Sequence, residues 1–152
     1  MDDASVPRIR EFKGRDLKDI LEIEGHAFPK TSYPEEVFRY YARNPYAVFL
    51  VAEVEGAVVG YLIMEKQGHI VSTAVGPTHR RRGIGKKLIQ CGVREARQRP
   101  WLEVRSKNKG AVSFYRKVGM EVAGRSKNYY GDDDALIMTW KEWGIDSDSL
   151  GT

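Results

Sequence analysis

The stretch "AVGPTHRRRGIGKKLIQ", Ala74 to Gln90, decides the fold. An apolar, strand-like run ends at Val75, and a Gly76-Pro77 turn follows it. Then come one histidine, three arginines, two glycines one residue apart, and an amphipathic segment that opens on lysines. Strand, turn, basic glycine loop and helix, in that order, are the context that makes such a loop meaningful. Gly83 and Gly85 carry no side chain, so their backbone can approach a bulky group closely. The first N–H groups of the following helix have no internal partner, and together with the helix dipole they favour a phosphate. The chain lacks the Gly-x-x-x-x-Gly-Lys-Ser/Thr pattern of an ATP-type loop and the full Gly-x-Gly-x-x-Gly of a dinucleotide site. Local features leave two readings open: a phosphate cradle, or a helix start decorated with solvated arginines.

Upstream, the alternation of Arg8 to Phe12 predicts a strand. Leu17, Ile20, Leu21 and Phe28 recur at helical spacing with Asp16 as N-cap. The prolines of "HAFPKTSYP", His26 to Pro34, end that helix. An aromatic-rich helix follows over Glu35 to Arg43. Ala47 to Val75 holds three strand-like runs that turn near Glu55-Gly56 and Gln67-Gly68, as in a meander. Downstream, Leu88, Ile89, Gly92, Val93 and Ala96 form one helical face, closed by Pro100. Trp101 to Ser106 is a strand. Asn108 to Val118 is a helix with Ala111, Phe114, Tyr115 and Val118 on one side. "MEVAGRSKNYY" and "DALIMTW" form a hairpin around Gly131. The fold class is α/β (α+β), with a mixed sheet and some parallel pairing.

The 152 residues suggest a single domain spanning 1–152, with 1–7 and 144–152 flexible. With 25 basic and 21 acidic residues the net charge is +4, which suits an anionic ligand without indicating a nucleic-acid binder. The lone Cys91 excludes an internal disulfide and a cysteine-type metal site, and reads as a small residue on or beside a helix's packed face. His26, His69 and His79 lack metal-ligand spacing and read as surface or turn residues. No metal is expected. Met1 to Pro7 has no signal-peptide pattern, and no apolar run approaches the ~18 residues of a membrane span, so a cytoplasmic setting is expected.

Three further residues each carry two readings. Trp101, Glu103 and Arg105 share one face of their strand. A carboxyl beside an indole is a setting for a general base, while the plainer reading pairs Glu103 with a basic neighbour. Tyr115 lies on an apolar stripe and reads equally as a core tyrosine. Glu24 is either an edge residue that snorkels or a group that reaches the substrate pocket.

Arg80-Arg-Arg-Gly83-Ile-Gly85 matches the Arg/Gln-x-x-Gly-x-Gly/Ala signature of the GNAT-superfamily N-acetyltransferases, and the chain resembles that superfamily from its first strand to about Trp140. It is most similar to the ribosomal-protein alanine and archaeal protein N-terminal acetyltransferases. Leu102-Glu-Val-Arg105, Asn108, Tyr115 and "NYYGDDDALIM" (Asn128 to Met138) carry that likeness. The resemblance implies a GNAT fold, with a mixed central sheet of about seven strands and about four helices. It implies acetyl-CoA as co-substrate, its pyrophosphate on the amides of Arg80, Arg81, Arg82, Gly83, Ile84 and Gly85, with Lys86 in the same set. The backbone of Val75 would hold the pantetheine or thioester, and Asn108 would contact the cofactor beyond. Glu103 would be the general base, through water, and Tyr115 the proton donor to the sulfur. Phe28, Tyr33, Tyr129 and Tyr130 would wall a slot for a protein or peptide N-terminus, ribosomal proteins among the candidates.

No membrane partner is implied, a nucleic acid is not favoured, and the oligomeric state is not indicated. The chain departs from the alanine-enzyme pattern in having "YYGDDD" where a proline follows the tyrosines. Asp132 to Asp134 either favour a basic residue near the peptide end or form a solvated turn. A lysine side chain or small amine as acceptor, and a non-enzymatic acyl-CoA-sensing or nucleic-acid-binding module, are the alternatives.

Overall fold

Arg8–Glu11 (β1), Ala47–Val54 (β2), Ala57–Glu65 (β3) and Ile70–Val75 (β4) form an antiparallel meander in the order β1-β2-β3-β4. The computed structural model describes residues 6–140, so the expectations for the chain ends fall outside the described residues, apart from Val6 and Pro7. The β2–β3 turn has two residues, Glu55 and Gly56, both at positive φ (53° and 82°), as a tight hairpin requires.

Alternation along β2 and β3 feeds two cores. Val48, Leu50, Ala52, Leu62 and Met64 pack with Leu88, Ile89 and Val93 of the helix Ile84–Ala96 (α3). Phe49, Val51, Tyr61 and Ile63 pack on the other face with Ile20 and Ile23 of Leu17–Ala27 (α1) and Phe38 of Glu35–Arg43 (α2). A sheet covered on both faces reads as continuous apolar sequence, which is why β3 is buried over six successive residues. The helix over Glu35–Arg43 stands where the aromatic pattern places it.

Asp16 does not cap α1 with its side chain. A 3-10 turn, Gly14–Asp16, precedes the helix and holds Asp16 in helical dihedrals. Its buried carboxylate instead accepts both guanidinium nitrogens of Arg10, at 2.8 and 3.0 Å, and the Lys13 N–H at 2.8 Å. Burial alone would push this carboxyl up. The Arg10 and Lys13 hydrogen bonds outweigh it and hold Asp16 below the usual carboxylate range.

Trp101–Arg105 (β5), Ala135–Thr139 (β7) and Glu121–Ser126 (β6) form a separate antiparallel sheet in the order β5-β7-β6, with the helix Lys109–Lys117 (α4) joining β5 to β6. The seven strands and four helices are those expected, but they divide between two sheets. Parallel pairing shrinks to one bridge, His69 with Trp101, where the Trp101 N–H donates to the Gly68 carbonyl at 3.0 Å. Gly68 has φ 98°, and a side chain there would collide with the Arg99 carbonyl oxygen. β4 and β5 meet at their first residues, and no ladder joins them further along, so the C-terminal end of β4 faces an opening. Among the described residues no helix is long and apolar enough to cross a membrane.

Candidate active site

The opening is a cavity of about 770 Å³ between the end of β4, the basic glycine loop, the start of α3 and the face of α4. Val75, Arg80, Arg81, Gly83, Ile84, Gly85, Lys86 and Asn108 line it together, with Tyr115 and Phe28. Arg82 is exposed and does not line it. Lys117 and Ser113, on α4, line it without having been signalled by any motif.

The two glycines serve different ends. Gly83 caps α3 at φ 75°, ψ 10°, a left-handed conformation with open space where a side chain would stand. Arg81 is also left-handed, at φ 65°. The first residues of α3, whose opening N–H groups have no partner within the helix, line the cavity beside Arg80, Arg81 and Lys86. Gly85 is glycine for packing: a Cβ there would lie 3.0 Å from Val118 Cγ1 and 3.3 Å from the Phe114 ring. A lining of helix-opening amides and cations has the chemistry to hold a phosphate-bearing group.

Val75 keeps its place at the strand end, but its carbonyl already accepts a hydrogen bond from Arg80 Nε at 3.1 Å. Asn108 lines the cavity and caps α4, its side-chain oxygen accepting the Ala111 N–H at 3.0 Å. Tyr115 packs in the larger core and also lines the cavity. Burial first, then the charges of Glu24, Tyr33 and Glu103, push its hydroxyl well above the ordinary phenol value.

A second group stands by the seam between the sheets. Glu103 has a basic partner: its Oε1 lies 2.8 Å from His69 Nε2, while His69 Nδ1 lies 2.7 Å from Glu65 Oε1. The His69 ring also leans on Trp101, centroids 4.5 Å apart. Burial alone would lower the imidazole's pKa, but hydrogen bonds to Glu103 and Glu65 raise it above its usual value. His69 is thus no ordinary turn residue. Sequence reading missed it because its partner lies on another sheet, and no local spacing links 69 to 103. His26 and His79, also expected at turns or on the surface, both line the cofactor cavity.

Tyr33, Tyr129 and Tyr130 do not line that cavity. They gather on the seam side, where the charge of Glu103 reaches Tyr33 and Tyr130. Tyr129 and Tyr130 meet edge-to-face at 4.9 Å, and the Arg105 guanidinium sits 4.2 Å from the Tyr130 ring centroid. Phe28 stands apart from the tyrosines, on the cofactor side. The three aspartates are occupied. Asp132 pairs with Arg105 at 2.7 Å, Asp133 holds Ser106 Oγ and the Lys107 N–H, and Asp134 pairs with Arg125 at 2.8 Å. Asp132 and Asp133 latch the β6–β7 turn to the end of β5, and Asp134 braces the turn on β6. Glu24 is buried, 1% exposed, and does not snorkel. Cys91 is half-buried against the larger core, as a helix-face residue should be.

The profile of the acetyltransferase (GNAT) family matches residues 17–120. An N-alpha-acetyltransferase from Sulfurisphaera tokodaii is 34% identical across 86% of this chain and 90% of its own length. A ribosomal protein bS18-alanine N-acetyltransferase from Escherichia coli K12 is 30% identical across 78% of this chain and 84% of its own. Among solved structures, Ard1 from Thermoplasma volcanium superposes with TM-score 0.71 at 29% identity, covering 90% of this chain and 99% of that one.

Proposed function

The chain belongs to the acetyltransferase (GNAT) family as an acetyl-CoA-dependent N-acetyltransferase, and from that premise we propose that its acceptor is the α-amino group of a protein N-terminus. Attack is direct, in a ternary complex, and the work takes place in the cytoplasm. Ribosomal-protein N-termini are candidate acceptors, by likeness to the Escherichia coli relative.

The observation that carries this reading is the Glu65–His69–Glu103 chain beside the seam, with Tyr115 close enough to feel the charge of Glu103. Bound acetyl-CoA supplies a thioester carbonyl as electrophile. The protein must take a proton from the incoming ammonium and assist the departing sulfur. With the His69 proton on Nδ1, toward Glu65, its Nε2 faces Glu103 with a lone pair. A proton that reaches Glu103 through water can then be shared with Nε2. An α-amine, with a pKa of about 7.7–8.0 against about 10.4 for lysine, needs only modest help from such a base.

Tyr115 remains protonated across the working pH range. Its raised pKa makes full transfer to a thiolate less favourable than for an ordinary phenol, so it acts first as a hydrogen-bond donor to the sulfur. The acceptor enters between the Phe28–Tyr33 loop and the Tyr129-Tyr130 turn.

Competing peptides test the proposal: one with a free N-terminus and no lysine, one with a blocked N-terminus and an internal lysine. Acetylation of the first, with the second slower by at least about a hundredfold in kcat/KM, is expected. Equal rates would move the function to lysine or general amine acetylation.

A further inference from the structure

Glu24 is a deeply buried carboxylate that the chemistry above does not use. It sits in the last turn of α1 and reaches three other parts of the fold. Its Oε2 accepts the Tyr33 N–H at 2.8 Å. Its Oε1 accepts the Ser72 hydroxyl, on β4, at 3.0 Å, and the Tyr61 hydroxyl, on β3. Tyr61 and Ser72 also touch each other, oxygen to oxygen, at 3.0 Å. The Glu24 backbone carbonyl meanwhile accepts the Phe28 N–H at 2.8 Å. One residue therefore ties down both ends of the Phe28–Tyr33 loop, and its side chain is itself fixed to the two central strands. Burying a carboxylate against neutral donors is unfavourable compared with apolar packing, so plain bracing of α1 on the sheet would be better served by a leucine.

We propose that Glu24 is a positioning residue for the acceptor: its carboxylate sets the Tyr33 end of the loop, and with it the width of the slot into which the amine enters. The proposal rests on the reading of that slot given above. Its signature is weaker peptide binding with the chemistry and the cofactor site intact.

Glu24→Gln tests it, because the amide turns one acceptor oxygen into a donor facing other donors. Two measurements are made on the purified full chain. The first is hydrogen exchange of the Tyr33 amide by NMR, which needs no turnover. Exchange should accelerate by about tenfold or more in the variant. The second is steady-state kinetics: peptide KM should rise about tenfold, with kcat within about threefold, the pH profile of kcat unmoved and the calorimetric Kd for acetyl-CoA unchanged. Unaltered Tyr33 exchange would overturn the proposal, as would a fall in kcat at constant peptide KM.

If Glu24→Gln does not fold, Ser72→Ala removes a single donor and should raise peptide KM by about threefold in the same pattern. No rise would equally overturn it. If the wild type acetylates only lysine peptides, the N-terminal assignment fails, and the same split measured on the lysine peptide still decides the role of Glu24.

Discussion

His69 Nε2 lies 2.8 Å from Glu103 Oε1, and this contact bridges the two sheets at the seam where their pairing ends. A histidine between two carboxylates loses its proton at higher pH than an isolated one. If the neutral ring helps Glu103 receive the substrate's proton, kcat should rise with pH through a pKa above the usual 6.5 of histidine. Glu103→Gln removes one acid, so the His69 titration followed by NMR should move down. kcat/KM should fall by about 10²- to 10⁴-fold and recover in part as alkaline pH deprotonates the amine directly. An unmoved His69 titration would contradict the pairing.

Tyr115→Phe deletes only a hydroxyl. Acetyl-CoA affinity by calorimetry should persist while kcat falls by about a hundredfold, and raising the pH should not restore it. Thermal melts must accompany the kinetics, because Tyr115 is also a core residue. A loss of activity that tracks unfolding would reduce it to that role.

The glycines of the loop should separate cleanly. Gly83→Val meets no neighbour but must adopt φ 75°, which costs about 1–3 kcal/mol or reshapes the cradle. Acetyl-CoA affinity should drop while most of the fold survives. Gly85→Ala instead presses a methyl toward Val118 and Phe114, so melting temperature should suffer, with about 1–3 kcal/mol lost. Calorimetry and melts on both variants check the contrast.

Asp16 predicts an acid-sensitive brace. Its folded pKa lies below the unfolded value of about 3.9, so its stabilising contribution is present above that value and fades as pH falls through the folded pKa. Asp16→Asn removes the nearer carboxylate from the Arg10 guanidinium, leaving Glu53 at 3.6 Å, and should cost about 3 kcal/mol at neutral pH. Urea midpoints for wild type and variant should converge as pH is lowered toward 2. A gap that stays constant with pH would argue against the ion pair.

Local pattern carried most of the elements. The aromatic helix Glu35–Arg43 and the turn at Glu55-Gly56 stand where periodicity and turn chemistry put them, because both depend on residues close in sequence. The cofactor loop was legible for the same reason: strand end, glycines and helix start are contiguous. What escaped depends on distant partners. The two sheets meet at a backbone contact between the Gly68 turn and Trp101, residues far apart in sequence. The Glu103–His69 pair, and the engagement of Asp132 and Asp133 by Arg105 and Ser106, join segments that no short window contains. Gly85 looked like an anion-loop glycine, and only the packing of α3 on α4 shows that it is also a contact glycine.

Gly68 acts as the fulcrum of the molecule. A side chain there would collide with the Arg99 carbonyl oxygen, and β5 begins two residues further on with Glu103 as its third residue. Any bulk added at position 68 must displace either this turn or the Arg99 segment, right beside the His69–Trp101 bridge. The join between the two sheets is therefore gauged at a residue that carries no side chain of its own, and a methyl group placed there would loosen that join mechanically.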